Sequence, residues 1–318
     1  MSKKILIIRM GAIGDVVHTS VIPYSIKQKH PEYEIHYLSR GASLQLLENC
    51  PYVDKIIKYD EKTFDTLKIL YKERYDIIIS LSRTLRDYIF SYLSFPKRAV
   101  FRGYKGDLWV ENYFYTAKKV IKDIELPDRL YLSNDEKIEA KISDILNEYP
   151  KPHIVINPGR QSNNARQGRV WNLKKWKELS EKLIERYGGT VFVNGSKGEV
   201  SFHEELNNGK LVLFTGKFSL KESCALLSLA DIVISVDSGP AHIAAAYGVN
   251  TISILGSTSP DKIKPYGKNG YYVEPTNKCR YCWKKKCKYL KEGEIYSPCI
   301  ETVSVKSVLD KIETEKLL

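Results

Sequence analysis

Short apolar runs rich in β-branched residues alternate with longer segments of helical period along the whole chain. In the first half these runs are KILIIR, EIHYLS, KIIKY, DIIISL and RAVFR, and in the second half HIVIN, TVFVN, LVLFT, DIVISV and TISIL. Near-continuous apolar strands that alternate with helices form parallel sheets covered on both faces. The sequence therefore predicts an α/β protein with two doubly wound, Rossmann-like domains that face a cleft.

The boundary between the domains is predicted near Pro150. Ser133 and Glu136 have the capping-box pattern of a helix that runs to about Tyr149, where prolines end it. We assign residues 1–150 to an N-terminal domain and 151–318 to a C-terminal domain, which includes a Cys-rich lobe at 278–300 and a C-terminal helix. We expect that last helix, which starts after Ser304, to pack back on the first domain.

The chain is basic, with 50 Lys and Arg against 38 Asp and Glu, a formal net charge of +12. With 43% hydrophobic and 28% charged residues, it excludes a disordered or collagen-like protein. The excess of positive charge favours an anionic partner: nucleic acid, an anionic membrane surface or a phosphorylated substrate. The start MSKKILIIRM lacks the features of a signal peptide, so we expect a cytoplasmic protein.

The loop after the first strand carries two glycines and then Asp15. Gly11 and Gly14 allow a tight turn and a close approach to a ligand. Asp15 then stands at the start of the next helix, either as a stabilising helix carboxylate or as a base that takes a proton from a substrate hydroxyl. The loop lacks the G-x-G-x-x-G spacing, which weakens a nicotinamide-dependent function.

In the second half, DIVISV runs into the turn Asp237-Ser238-Gly239-Pro240-Ala241-His242. Proline favours the first turn of a helix, so this turn is expected to present free N–H groups to an anion such as a pyrophosphate. Asp237 would repel a phosphate and is better suited to accept hydrogen bonds from sugar hydroxyls, although it and Ser238 could simply cap the helix. The polar loop after HIVIN adds three arginines and no acid.

Together these residues resemble the bacterial ADP-heptose:lipopolysaccharide heptosyltransferases of glycosyltransferase family nine. The resemblance rests on ILIIRMGAIGDVVHTS, on NPG with RVWNLKKW, and on SVDSGPAHIAAAYG with ILGSTSP. It implies a GT-B fold and an inverting, metal-independent transfer of heptose from ADP-heptose to an anionic acceptor, the lipopolysaccharide inner core. The absence of any Asp-x-Asp in the chain agrees with a reaction that needs no nucleotide-bound cation.

The resemblance also implies roles for individual residues. Asp15 maps onto the catalytic base. The donor-binding positions that follow from it are Gly14, Arg169, Glu199, Asp237, Ser238, Gly239 and His242. Glu199 is the least direct match, because the family often places an acidic residue closer to the glycine that ends the preceding strand.

The acceptor side is assigned to basic residues of the first domain, which follow predicted strands or lie in FRGYKGD. They are Arg83, Arg86, Arg102 and Lys105. As a group they could hold an anionic lipid-linked glycan, and individually they could be solvated surface residues.

Four cysteines near the C-terminus, Cys279, Cys282, Cys287 and Cys299, have the spacing C-x2-C-x4-C-x11-C. Four thiolates suit a tetrahedral structural zinc or iron ion, and the alternatives are reduced thiols or a disulfide pair. The surrounding lobe is rich in lysine and aromatic residues, which fits a contact with the cytoplasmic membrane surface, a nucleic-acid module or a solvated loop.

The leading hypothesis is thus a cytoplasmic, peripheral-membrane glycosyltransferase that needs no catalytic cofactor. The alternative is a nucleotide-binding regulator or nucleic-acid-binding protein with a four-cysteine metal lobe.

Overall fold

The apolar runs form two parallel sheets with helices packed on them. The computed structural model describes residues 2–103, 108–159, 167–284 and 286–318. The chain divides into two compact units, Met1–Ser133 and Asn134–Leu318. The division falls earlier than the predicted boundary at residue 150, because the helix Glu136–Asn147 packs its buried Ile142 and Leu146 within the second unit.

In the described part of the first unit, five strands form one sheet of order β3-β2-β1-β4-β5. The strands are β1 (Lys4–Ile8), β2 (Glu34–Ser39), β3 (Lys55–Lys58), β4 (Ile77–Ser80) and β5 (Arg98–Phe101). The helices are α1 (Ile13–Thr19), α2 (Val21–Lys29), α3 (Thr63–Glu73), α4 (Leu85–Leu93) and α5 (Trp109–Lys118), with a 3-10 helix at Gly41–Leu46. All strand pairs are parallel, so the loops after the strands meet at one edge of the sheet.

The core of the first unit explains why these runs fold as strands. Ile5 to Ile8 of β1 are fully buried, as expected of the central strand of a sheet covered on both faces. Helices α3 and α4 contact each other, and their Leu70 and Phe90 join the cluster around Leu6 and Ile8. Helix α5 packs on α1 and α2, which brings its side chains near the loop after β1.

In the described part of the second unit, six strands form a sheet of order β11-β10-β9-β6-β7-β8. The strands are β6 (His153–Asn157), β7 (Thr190–Val193), β8 (Val212–Leu213), β9 (Ile232–Val236), β10 (Asn250–Ile254) and β11 (Gly270–Val273). The helices are α6 (Glu136–Asn147), α7 (Leu173–Tyr187), α8 (Val200–Glu204), α9 (Leu220–Ser228), α10 (Gly239–Ala246), α11 (Pro260–Ile263), α12 (Pro298–Glu301) and α13 (Val305–Glu315). Two 3-10 helices lie at Gln167–Arg169 and Lys197–Glu199.

The expectation that the C-terminal helix packs on the first domain is wrong. Helix α13 contacts α7 and β11 of the second unit, and its Val308 and Ile312 join that unit's core. The apolar positions of α13 recur at three- and four-residue steps, which gives it one buried face, and the second sheet offers the matching apolar surface.

Candidate active site

The loop after β1 places Asp15 in the first turn of α1. Ala12 precedes the helix with extended backbone, and its carbonyl accepts a hydrogen bond from the Asp15 N–H at 3.0 Å. Gly11 is required for close packing, because a Cβ at this position would lie 2.9 Å from Arg9 Nε and 2.9 Å from Asp15 Oδ2. The glycine therefore lets the Asp15 carboxylate approach the arginine that ends the strand.

Two side chains that sequence reasoning missed hold the Asp15 carboxylate. Arg9 Nη2 forms an ion pair with Asp15 Oδ2 at 2.5 Å, and the Tyr113 hydroxyl donates to Asp15 Oδ1 at 3.1 Å. Arg9 is almost fully buried, whereas about a third (34%) of the Asp15 side chain is exposed. Both carboxylate oxygens are thus positioned from the protein side, and the group remains open to a substrate.

The protonation states of these partners suit that role. Burial, with the nearby Asp15 adding to it, raises the pKa of Tyr113 to about 12, so its hydroxyl stays a donor at neutral pH. Burial on its own would lower the pKa of Arg9, but the neighbouring Tyr113 and Asp15 outweigh it and raise that pKa. Asp15 is therefore held by one permanent cation and one neutral donor.

A concave pocket of about 610 Å³ opens beside this loop within the first unit. Its walls come from the loops that follow β1, β2 and β3: Gly11, Ala12, Ile13, Arg40, Gly41, Ala42, Ser43, Tyr59, Asp60 and Glu61. The pocket is large enough for a sugar and adjoins the residues that precede Asp15.

Three of the predicted acceptor residues, Arg83, Arg86 and Arg102, lie after β4 and β5, at the same edge of the sheet. Arg86 stacks 4.7 Å from the ring of Tyr59, which lines the pocket. Arg102 lies 4.6 Å from the Trp109 ring, and its Nη1 is 3.5 Å from the Tyr113 hydroxyl. Arg83 is exposed in the loop before α4, and Lys105 lies outside the described residues. The acceptor role of these four residues stays a prediction.

In the second unit, the turn between β9 and α10 forms the helix start that the sequence predicts. Ser238 has extended backbone before the helix, Gly239 opens it, and the following proline lies in its first turn. The Ser238 hydroxyl is 3.0 Å from that of Ser235, so it does not cap the helix amides. The first-turn N–H groups are the kind that binds a phosphate.

Arg169 and Asp237 meet beside this helix start. Arg169 Nη2 lies 2.9 Å from Asp237 Oδ2, and His242 Nε2 lies 3.9 Å from Asp237 Oδ1. Asp237 and His242 are buried, whereas 27% of the Arg169 side chain is exposed. Asp237 therefore positions the guanidinium, a role that sequence reasoning did not assign to it; its predicted contact with sugar hydroxyls stays a prediction.

Trp283, also missed by sequence reasoning, contacts this cluster from the cysteine lobe. The Arg169 guanidinium lies 5.7 Å from the Trp283 ring centroid, and the backbone N–H of Trp283 donates to the Ser257 carbonyl at 2.8 Å. Trp283 has a positive φ of 53°, which a tryptophan adopts only where its surroundings fix it. The lobe thus supplies an aromatic wall to the predicted donor site.

Close packing fixes the residues on either side of the polar loop that follows β6 and carries three arginines. Ser257 N–H donates to the Gly168 carbonyl at 3.1 Å, and a Cβ on Gly168 would lie only 2.4 Å from Ser257 Cβ. At the other end, His203 Nε2 lies 3.0 Å from the Gly159 carbonyl, and its Nδ1 lies 2.8 Å from Thr215 Oγ1. Burial lowers the pKa of His203, so it is neutral and donates from Nε2.

Glu199 is engaged locally. Its Oε2 accepts hydrogen bonds from the Ser196 N–H at 2.6 Å and the Ser196 hydroxyl at 2.7 Å, which makes it part of a capping box. Its contact with the donor, and that of Gly14 in the first turn of α1, stay predictions.

None of the six cysteines, all of which the structure describes, forms a disulfide. Burial raises the pKa of Cys299 to about 11, and Cys279, Cys287 and Cys282 add to that effect. In the described residues no three of their Sγ atoms lie within 4.8 Å of one another.

One other group has the composition of a metal site. Oxygen and nitrogen atoms of Glu34, His36 and Glu73 lie within 4.8 Å of one another. Lys4 and Lys55 donate to Glu73 at 2.8 and 2.5 Å, so cations of the chain already neutralise it. These residues form an ion-pair cluster at the edge of the sheet where β1 and β2 begin, away from Asp15.

Comparison with known proteins identifies the family. The family model "Glycosyltransferase family 9 (heptosyltransferase)" matches residues 67–292. A lipopolysaccharide core heptosyltransferase, OpsX, from Haemophilus influenzae is 24% identical over 83% of this chain and 82% of its own. The structure of the Escherichia coli ADP-heptose lipopolysaccharide heptosyltransferase II superposes with a TM-score of 0.79 at 19% identity, covering 98% of each chain. An iron-containing dodecameric glycosyltransferase, TibC, from enterotoxigenic E. coli H10407 superposes with a TM-score of 0.60 at 17% identity, over 99% of this chain and 77% of that one.

These matches confirm the expected GT-B fold. They do not favour the alternative of a regulator or nucleic-acid-binding protein. The chain belongs to glycosyltransferase family 9, the heptosyltransferase family.

Proposed function

We propose that the protein is an inverting heptosyltransferase that moves heptose from ADP-heptose to a hydroxyl of the lipopolysaccharide inner core. The observation that carries the proposal is the partly exposed Asp15 carboxylate, held by Arg9 and Tyr113 just after the residues 11–13 that line a sugar-sized pocket. Its open lone pairs suit a general base for an acceptor hydroxyl.

In the proposed step Asp15 takes the proton of the acceptor hydroxyl, and that oxygen forms a bond to the anomeric carbon of the heptose. The bond from this carbon to the diphosphate oxygen breaks, with inversion, and ADP leaves with the electron pair. The guanidinium of Arg169 and the first-turn amides of α10 would stabilise the charge that develops on ADP. Because these groups already supply positive charge, the proposal assigns no role to a divalent cation.

A thermal-shift panel of ADP, UDP, GDP, NAD and ADP-heptose tests the donor. A ligand at about 100 times its Kd stabilises the folded protein by roughly 2.7 kcal/mol. ADP and ADP-heptose should stabilise the wild type, and Arg169→Ala should reduce that shift. Stabilisation by uridine nucleotides alone would contradict the proposal.

The proposal places the reaction in the cytoplasm, at the inner face of the cytoplasmic membrane, with an anionic lipid-linked glycan as acceptor. The helices in the described residues are each too short or too polar to cross a membrane. The arginines that follow β4 and β5 support an anionic acceptor, because their guanidinium groups suit phosphate and carboxylate. Changing Arg86 and Arg102 to Gln should raise the acceptor KM and leave the Kd for ADP unchanged.

The four cysteines of the lobe are proposed to bind one structural zinc or iron ion. Their donor chemistry fits, since four thiolates suit a tetrahedral zinc or iron site, and TibC, an iron-containing glycosyltransferase of similar fold, gives a precedent. Such an ion would brace the lobe that carries Trp283. Elemental analysis should find about one metal ion per chain of the wild type. The Cys282→Ser variant should lose this ion, and the control Cys50→Ser should keep it. A metal-free wild type would contradict the proposal.

A further inference from the structure

The outer faces of α3 and α4 expose large apolar side chains. Of the ten large hydrophobic side chains exposed in the described residues, seven fall between residues 64 and 95. These seven are Phe64, Ile69, Tyr71, Leu85, Tyr92, Leu93 and Phe95, and we call the surface that they form the α3–α4 face. Soluble proteins rarely expose a contiguous apolar patch of this kind unless it binds something.

Helix α4 is apolar on its inner and its outer side. Phe90 is fully buried on the sheet, yet Leu85 and Tyr92 on the opposite side are 77% and 61% exposed. A helix that is hydrophobic all round is normally covered on all sides. The apolar side chains of the two helices meet at one point, since the Tyr71 ring of α3 lies 6.2 Å from the ring of Phe95, which follows α4.

The charged residues of this face are mostly cationic. Within α3, α4 and the segment to residue 98, the exposed cations are Lys68, Lys72, Arg98 and Lys97, of which Lys97 is ion-paired with Asp76 at 2.6 Å, and the exposed acid is Asp65. Of the other two acids, Glu73 is bound by Lys4 and Lys55, and Asp87 is buried in the cap of α4. The face therefore combines apolar side chains with net positive charge.

The face begins beside the pocket of the first unit. Tyr59 to Glu61 line that pocket, α3 starts at Thr63, and Phe64 is 80% exposed in its first turn. A ligand whose polar head entered the pocket could have its apolar part along this face.

We propose that the α3–α4 face lies on an anionic membrane surface, with its aromatic and leucine side chains among the lipid headgroups and its lysines against lipid phosphates. Apolar area together with attraction to anionic lipids is what holds a protein at a bilayer interface. A symmetric contact with a second copy is less suitable, because it would bring Lys68 and Lys72 of both copies into one interface and bury like charges there. The statement that this membrane carries the acceptor rests on the proposed function, whereas the binding of the face to the membrane does not.

The test measures partitioning of the full chain into vesicles of equal parts phosphatidylethanolamine and phosphatidylglycerol, with pure phosphatidylcholine vesicles as the comparison. The triple variant F64S/L85S/Y92S should bind about 100-fold more weakly, because three exposed side chains lose their apolar burial. Lys68→Gln with Lys72→Gln should weaken binding roughly 30-fold, at about fivefold for each lysine, and reduce its salt dependence. The control Tyr289→Ser removes an exposed aromatic of the cysteine lobe and should bind like the wild type.

Because all substituted side chains are exposed, the variants should keep the wild-type circular dichroism spectrum and Tm. Wild type that fails to bind the anionic vesicles, or a triple variant that binds equally well, overturns the proposal. A wild type that is a dimer in solution, together with a triple variant that is a monomer, also overturns the proposal, since the face would then be an interface between copies. Turnover of ADP-heptose with a delipidated acceptor should be the same for the wild type and the triple variant. If neither protein turned over ADP-heptose while the wild type still bound the anionic vesicles, the proposed function would be refuted and the membrane proposal would stand.

Discussion

Gly11→Ala tests whether the geometry around Asp15 matters for catalysis. The new Cβ would lie 2.9 Å from Arg9 Nε, Asp15 Cβ and Asp15 Oδ2. Carbon contacts need roughly 3.5 Å, so the carboxylate or the guanidinium must move by about 0.6 Å. Since a misplacement of about 1 Å at a reacting group can cost 100-fold in rate, we expect kcat to fall by roughly tenfold.

The assay is steady-state transfer from ADP-heptose, with the Kd for ADP measured in parallel. Gly11 lies in the first unit, whereas the predicted donor-binding residues other than Gly14 lie in the second, so the Kd should not change. Gly103→Ala is the matched control, because among the described residues its Cβ would meet only the flexible end of Lys119. A Gly11→Ala enzyme with wild-type kcat would refute the reasoning that close packing positions the base.

Three further outcomes follow from the second unit. Arg169→Ala should weaken ADP binding by about 10- to 100-fold, the effect of one lost charged hydrogen bond, and calorimetry with unchanged affinity would contradict its role. Trp283→Ala should weaken ADP-heptose binding by about tenfold, because Arg169 loses its aromatic neighbour. Tyr289→Ala in the same lobe should leave ADP-heptose binding unchanged. Equal effects of the two substitutions would show a general disturbance of the lobe. The lowered pKa of His203 means that, below about pH 6.5, this residue takes up a proton in the unfolded chain before it does so in the folded chain. The free energy of unfolding should therefore fall on acidification, by at most about 1.4 kcal/mol per pH unit. Thermal melts from pH 7 to 5 should show a flatter slope for His203→Gln.

Local patterns predicted the strands and the two strand-to-helix turns well. Ten apolar runs become strands, and of the strands in the described residues only β11 was missed, because GYYV is a short aromatic run with no helical segment of clear period before it. Asp15 and Ser238 to His242 lie at the ends of buried strands, where the sequence places them.

What the sequence could not predict depends on contacts between distant residues. Tyr113 reaches Asp15 across 98 positions of the chain, and no local pattern announces that contact. Arg9 did carry a signal, as a cation directly after a fully apolar strand. The packing of α13 and the boundary before α6 were misplaced for the same reason, since an amphipathic helix shows that it has a buried face but not which sheet covers it.

The central claim is that Asp15 is the base of heptose transfer. Asp15→Asn keeps the size of the side chain and an oxygen that can accept from the Tyr113 hydroxyl, but it cannot accept the proton of the acceptor hydroxyl. Single-turnover transfer from ADP-heptose should fall by at least about 100-fold, with the Kd for ADP unchanged. Transfer at the wild-type rate by Asp15→Asn would contradict the account.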